Sequence, residues 1–446
     1  MILIHNAKII NEGNAFKGSV LIENDKISKI FKNDVPANIF QMATVIDATD
    51  KYLIPGIIDG HVHFREPGLC HKGDLFSESK AAVAGGVTSF MDMPNTIPQA
   101  TTIANLEQKY DLAAEKSLAN YSFYLGATND NCKEIMQLDP TKVCGVKLFM
   151  GSSTGNMLVN EAEAITKVFA ESPVLIAIHS EDDEMIKANM ATYTAQFGDT
   201  IPFRYHPIIR SAEACYKSTA IAINYARKHN ARLHVLHLST AKELSLFDAN
   251  TLLANKQITA ETCPQYLWFD DTQYDSKGAY LKCNPAIKSA NDKAALIEGL
   301  NSNKIDVIAT DHAPHLLSEK AGNYAQAASG TPQIQHSLVV MLELAKQGKI
   351  SVEKVVEKMC HAPATIYHIE KRGYIRKGYY ADLVLVSRNT PWKVETDTIL
   401  SKCGWSPYEE TNFNHQVTHT FVNGKLVYKN GEFDESAKGK RLTFTT

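Results

Sequence analysis

The chain has 446 residues, enough for one large domain with a smaller one, or for two or three of ordinary size. Hydrophobic residues make up 44% and charged residues 21%, ordinary for a soluble globular protein, and a net charge of −3 leaves no basic footprint for nucleic acid or an anionic membrane. No stretch approaches the length of a bilayer span, residues 1–8 lack the layout of a secretion signal, and eight scattered cysteines without a Cys-x-x-Cys pair read as reduced thiols, so a cytoplasmic protein is expected.

In chain order, residues 1–51 read as short strands and turns, at 2–4, 20–22 and 27–30. From residue 53, short apolar runs rich in β-branched residues alternate with longer segments of helical pattern. The runs predict strands at 53–62, 87–93, 121–127, 144–150, 174–179, 232–238, 258–263 and 305–311. Helices are predicted between them at 75–84, 103–118, 161–170, 212–229, 241–250 and 290–301, and after the last strand at 335–347 and 352–360. Eight strands, each followed by a helix or loop, predict an α/β fold in which a parallel βαβ series closes into a (β/α)8 TIM barrel over residues 52–368. An open doubly wound sheet is the competitor, weakened because no Gly-x-Gly-x-x-Gly follows the first strand. Residues 369–446 return to the style of the N-terminal flank, with strands at 381–386, 417–422 and 426–428 and Asn430-Gly431 as a hairpin signal. Neither flank can bury much core alone, so 1–51 and 369–446 are expected to meet in one small β domain.

The first barrel strand runs into Asp59-Gly60-His61-Val62-His63-Phe64-Arg65-Glu66-Pro67-Gly68. Two imidazoles at i and i+2 share a direction only on an extended strand, and Arg65 has the same parity. A strand continuing that far would aim two metal ligands and a guanidinium at one place, which suits a metal hydrolase acting on a carboxylate-bearing substrate. Alone the pair is weak, since 16 His in 446 residues give roughly 0.6 His-x-His by chance. Four further strand ends add Lys147, His179, His237 and Asp311-His312-Ala313-Pro314-His315, at the end of a barrel where active sites are built. Taken singly, His179 or His237 could be a satisfied core histidine, Lys147 a snorkelling or ion-paired lysine, and Asp311 a turn or helix cap. Together they argue for a site.

These residues resemble the amidohydrolase superfamily and, within it, the dihydroorotases, over nearly the whole chain. The resemblance is carried by His61 to Gly68, Ala84-Gly85-Gly86-Val87-Thr88, Asp92-Met93-Pro94-Asn95-Thr96, Lys147, His179-Ser180-Glu181, His234-Val235-Leu236-His237-Leu238-Ser239, Glu261-Thr262-Cys263-Pro264-Gln265-Tyr266-Leu267 and Asp311 to His315. Metal-ligand strand ends alone would indicate the superfamily. Phe-Arg-Glu-Pro-Gly, Met-Pro-Asn-Thr and Asp-His-Ala-Pro-His together point to dihydroorotase.

The resemblance implies two zinc ions per subunit. His61, His63 and Asp311 would bind one, His179 and His237 the other, and Lys147, carboxylated on its amine, would bridge them. Carboxylation needs a neutral amine, which burial beside cations favours, and imidazole and carboxylate ligands suit zinc, with cobalt or manganese as substitutes. A metal-bridging hydroxide would attack the ring carbonyl of L-dihydroorotate, with Asp311 as general base and then general acid, giving N-carbamoyl-L-aspartate; the reverse is the direction of de novo pyrimidine biosynthesis. Arg65 would bind the substrate carboxylate, and Asn95, Asn284 and His315 match the family's remaining substrate positions. A homodimer, and association with aspartate transcarbamoylase, are further implications.

The loop Gly151-Ser152-Ser153-Thr154-Gly155-Asn156 suits a mobile lid over the substrate, or equally a plain βα loop. Gly330-Thr331-Pro332-Gln333-Ile334-Gln335 departs from the Gly-Leu-Glu-Thr-like stretch of many members, which puts the substrate contacts there in question. Two rivals stand beside the main reading. One is an allantoinase or dihydropyrimidinase-type cyclic amidohydrolase, against which Arg65 and Ala313 argue. The other is a non-catalytic relative serving as a scaffold, against which the full ligand set argues.

Overall fold

The computed structural model describes residues 1–150 and 157–445, so the loop expected to act as a lid, 151–156, lies outside the described residues. The chain opens with β1 (Ile2–Asn11), β2 (Asn14–Glu23), β3 (Lys26–Phe31), β4 (Thr44–Asp47) and β5 (Lys51–Pro55). Next come β6 (Ile57–Val62), β7 (Val87–Asp92), β8 (Asn120–Phe123), β9 (Leu125–Gly126), β10 (Val146–Phe149), β11 (Ile176–His179), β12 (Leu233–Val235), β13 (Ile258–Thr262) and β14 (Val307–Ile308). It ends with β15 (Leu383–Lys393), β16 (Asn412–Val422), β17 (Lys425–Lys429) and β18 (Glu432–Phe433).

The middle set forms the barrel. Strands β6-β7-β8 and β9 to β14 pair in parallel, β8 and β9 are separated by Tyr124 alone, and β14 returns to β6 through a parallel bridge from Val62 to His312. The N–H of His63 donates to His312 O at 2.8 Å, which seals the closure at the C-terminal rim. All six residues of β6 and all six of β7 are buried, as in a strand covered on both faces, with the polar members Asp59, His61, Thr88, Ser89 and Asp92 buried among apolar ones. Side-chain caps start the intervening helices: Asp74 for Leu75–Ala84, Thr102 for Ile103–Lys116, Ser211 for Ala212–His229 and Ser289 for Ala290–Asn301. Among the described residues no helix is long and apolar enough to cross a membrane.

The two ends of the chain share one nine-stranded sheet, ordered β18-β17-β16-β15-β5-β1-β2-β3 with β4 on β1. Its centre is β5, antiparallel to β15 with Leu383 opposite Pro55. The chain closes on the barrel rather than in the sheet, where Tyr121 N–H donates to Lys440 O and Leu442 N–H to Tyr121 O.

Three expectations from the sequence change in detail. The strand at 53–62 is two strands, because at Gly56 the chain leaves the end sheet for the barrel. A Cβ there would sit 2.0 Å from Thr88 Oγ1, so only glycine permits the approach, and Gly56 N–H donates to Asp382 O at 2.8 Å. The helix at 241–250 shrinks to a 3₁₀ segment, Lys242–Leu246, because the Asp248 carboxylate takes the N–H groups of Asn250 and Thr251 for itself. The fifteen-residue helix Asp183–Phe197 was absent from the sequence reading. None of its residues is buried, so it leaves no apolar stripe to detect; Asp182 caps it and Asp183 and Glu184 sit in its first turn.

Sheet and barrel are joined by a buried polar knot. The Arg372 guanidinium pairs with Asp382, whose Oδ1 accepts from Asn423 N–H at 2.7 Å, and Asn423 Nδ2 donates to Asn120 Oδ1 at 2.7 Å. Removing one partner of such a pair strands the other charge. Asp382→Ala is therefore expected to lower unfolding free energy by about 3–5 kcal/mol in urea denaturation, and a loss under about 1 kcal/mol would show that the pair carries no such weight.

Candidate metal centre

Every candidate residue converges on one cavity of about 420 Å³ at the C-terminal mouth of the barrel. His61, His63, Arg65, Asn95, Lys147, His179, His237, Asn284, Asp311 and His315 all line it. The strand ends deliver them: β6 for His61, the residue just after it for His63, β10 for Lys147, β11 for His179, the turn after β12 for His237 and the turn after β14 for Asp311.

At the centre, Asp311 Oδ1 lies 3.1 Å from Nε2 of His61 and 3.1 Å from Nε2 of His63. The outward nitrogens are already committed. His61 Nδ1 donates to Glu261 Oε1 at 2.8 Å, and His63 Nδ1 to Asn95 Oδ1 at 2.8 Å. With both rings neutral, each would turn a bare Nε2 lone pair toward the carboxylate, and acceptors would face acceptors. Only positive charge makes that arrangement favourable, and a metal cation would supply it; candidate ligand atoms of His61, His63 and Asp311 lie within 4.8 Å of one another. Electrostatics say the same of a proton: burial alone would push His61 down, but Asp311 and Glu261 hold its pKa up at about 9.

A second set adjoins the first. His179 Nδ1 and His237 Nε2 lie 2.9 Å apart, and the His61 and His237 rings are 5.3 Å apart between centroids. Nε2 of His179 donates to Glu181 Oε2 at 2.9 Å, and Glu181 is held in turn by Arg210. Lys147 Nζ sits over the Phe149 ring, 4.7 Å from its centroid. Burial pulls its pKa down to about 7, against the pull of Asp311 and Glu261. The donor set is thus oxygen and nitrogen only, fit for zinc and similar borderline cations.

Several of these positions are backbone outliers. Arg65, His237 and Asp311 have φ of 71°, 44° and 49°, in the left-handed region that costs a non-glycine residue about 1–3 kcal/mol. Strand β6 has ended at Val62, so the parity by which Arg65 was expected to follow the histidines does not operate. Arg65 reaches the cavity instead through the turn at its own positive φ, where Nε donates to Pro314 O at 3.0 Å and Nη2 lies 3.1 Å from His315 Nε2.

Supporting carboxylates were the residues that sequence reasoning left without a role. Glu261 accepts from His61 and, at 3.2 Å, from the N–H of His237, so one oxygen holds histidines of both sets. Asp59 accepts from the N–H of His61 and from Thr310 N and Oγ1, tying β6 to the turn that carries Asp311. The available signal was cost: a carboxylate inside an apolar strand, as at 57–62 or 258–262, is expensive unless something claims it. The departing stretch at 330–335 also reaches the mouth, since Gly330 lines the cavity and Thr331 bridges to His312.

Residues 52–427 match the sequence model of the amidohydrolase family. Among curated proteins, the chain is 31% identical over 418 residues to a dihydroorotase of Methanosarcina acetivorans, covering 91% of this chain and 87% of that one. It is likewise 31% identical over 438 residues to an allantoinase of Bacillus velezensis, covering 96% and 94%. In structure it is similar to the L-hydantoinase (dihydropyrimidinase) of Arthrobacter aurescens, with a TM-score of 0.90 and 25% identity over 97% of both chains.

Glu261→Gln is expected to weaken zinc binding by about 10–100-fold, as loss of an outer partner to a ligating histidine does. Competition against a chromophoric chelator measures it. Unchanged affinity would mean that His61 orients itself without Glu261.

Proposed function

We propose that this chain, which belongs to the amidohydrolase family, is a dihydroorotase. It would add water across the cyclic amide of L-dihydroorotate to give N-carbamoyl-L-aspartate, and close the ring in the reverse, biosynthetic direction. The observation that carries this reading is Arg65, a guanidinium only 7% exposed in the wall of the cavity that holds His61, His63 and Asp311. Among the described residues it makes no ion pair, its contacts being Pro314 O and His315 Nε2. A planar fork beside a hydrolytic centre suits a substrate with a carboxylate, which allantoin and hydantoin lack.

His61, His63 and Asp311 would hold one zinc ion, His179 and His237 a second, and Lys147, carboxylated on Nζ, would join the two sets. Bound there, the ions would polarise the scissile carbonyl and bring the pKa of water toward neutrality. The chain's own residues do the rest. Burial keeps part of the Lys147 amine neutral near pH 7, the form that takes up CO₂. Asp311, facing the cavity, accepts the proton of the attacking water and passes it to the ring nitrogen as the C–N bond breaks. Asn284 Oδ1, buried and without a hydrogen-bond partner among the described residues, can accept a ring N–H of the substrate. Such an enzyme would work in the cytoplasm as a homodimer, and association with aspartate transcarbamoylase, which makes N-carbamoyl-L-aspartate, would set consecutive steps side by side.

Purified, zinc-loaded protein should interconvert dihydroorotate and N-carbamoyl-L-aspartate. Turnover of allantoin, hydantoin or dihydrouracil instead would move the assignment to another cyclic amidohydrolase, and a metal-loaded protein inactive on all of them would favour a scaffold. Arg65→Met is expected to raise KM for dihydroorotate by about 100-fold, the loss of a charge-assisted pair worth about 1.5–3 kcal/mol, with metal content unchanged. Kinetics like those of the unaltered protein would sink the carboxylate assignment.

A further inference from the structure

Lys72 is a cation in the cavity wall that the reading above leaves unused. The stretch after β6 coils back on itself, with Leu69 N–H donating to Arg65 O at 3.0 Å and Lys72 N–H to Leu69 O at 3.2 Å. That turn sets the Lys72 side chain beside Arg65 in the same cavity, with Lys72 only 8% exposed. Its Nζ donates to Glu319 Oε1 at 3.0 Å and lies 3.3 Å from His315 Nδ1. His315 thus stands between two cations, its Nε2 3.1 Å from Arg65 Nη2 and its Nδ1 also 3.5 Å from Glu319 Oε2. Among the described residues Glu319 is the carboxylate that ion-pairs with Lys72, and none ion-pairs with Arg65. The Glu319 side chain is 30% exposed and shares itself with His71, 3.7 Å away. Within contact distance two cations meet one partly exposed carboxylate, and Asp311, the strongest opposite charge acting on Arg65, faces His61 and His63 instead, so the corner favours entry of an anion.

We propose that Lys72 is a specificity-determining residue, the second cation after Arg65 for the ring carboxylate of the substrate, so that the site selects anionic over neutral cyclic amides. The inference rests on the dihydroorotate reading and extends it to a residue outside the His61-to-Arg65 run. The two cations divide the work: the guanidinium fork fixes the orientation of the carboxylate, while the ammonium adds a point charge for which Glu319 competes with the substrate.

The test uses the zinc-loaded protein, with orotate as a non-hydrolysed carrier of the same carboxylate, its Kd read by titration calorimetry. Lys72→Met is expected to raise both the orotate Kd and the dihydroorotate KM by about tenfold, leaving kcat within about twofold and zinc content unchanged, and Lys72→Arg to recover most of the loss. Glu319→Gln, which releases Lys72 but adds no bulk, is expected to hold or tighten orotate binding; a pair with only a structural role would make Lys72→Met and Glu319→Gln weaken binding alike. That shared weakening, or Lys72→Met constants within about twofold of the unaltered protein, would overturn the proposal. If Arg65→Met weakens orotate binding and Lys72→Met does not, the Lys72 inference alone falls. If the unaltered protein neither turns over dihydroorotate nor binds orotate, the reading of the whole site falls with it.

Discussion

One oxygen of Asp311 lies 3.1 Å from the Nε2 atoms of two imidazoles whose other nitrogens are already spent on Glu261 and Asn95. Without positive charge between them these would be acceptors facing acceptors in a buried cavity, and the fold holds them there. Closure of the barrel brings β14 against β6, which sets Asp311 opposite the histidines. Asp59 and Glu261 then fix the ring that Asp311 faces. The arrangement is a socket for positive charge, and around it in the same mouth stand a desolvated lysine, a second pair of imidazoles and the cations Arg65 and Lys72.

Much of this was legible in the sequence, for identifiable reasons. Buried parallel strands read as unbroken apolar runs, so a polar residue that ends one stands out, as His179 does after Ile176-Ala177-Ile178 and Lys147 does between Val146 and Leu148. What escaped was everything without an apolar period or fixed by tertiary approach. The Asp183–Phe197 helix buries none of its residues, and the break at Gly56 depends on Thr88, thirty-two positions away in sequence but in contact in space.

Arg65 shows how a sound expectation can rest on the wrong mechanism. Strand parity pointed it at the histidines, yet the strand ends three residues earlier and a left-handed turn does the aiming. The same turn brings Lys72 back toward it, so a single departure from extended backbone places two cations in one wall. Backbone strain at Arg65, His237 and Asp311 falls at the rim where groups must be aimed, and the regular strands below hold those positions in place.

The handover at Gly56 bears on the order in which this chain can assemble. Strand β6 carries His61 and leads directly into His63, and one residue before it β5 is clamped by β15, more than 320 residues later. Tyr121 on the third stave of the barrel is likewise paired by Lys440 and Leu442 near the end of the chain. A chain emerging from the ribosome therefore holds His61 and His63 long before it holds the strand that anchors them. Such distant pairings close only after the intervening barrel has been made, and they make folding slow compared with folds built on local contacts. A metal taken up by this site would then bind the folded chain, in which the histidines already hold their geometry.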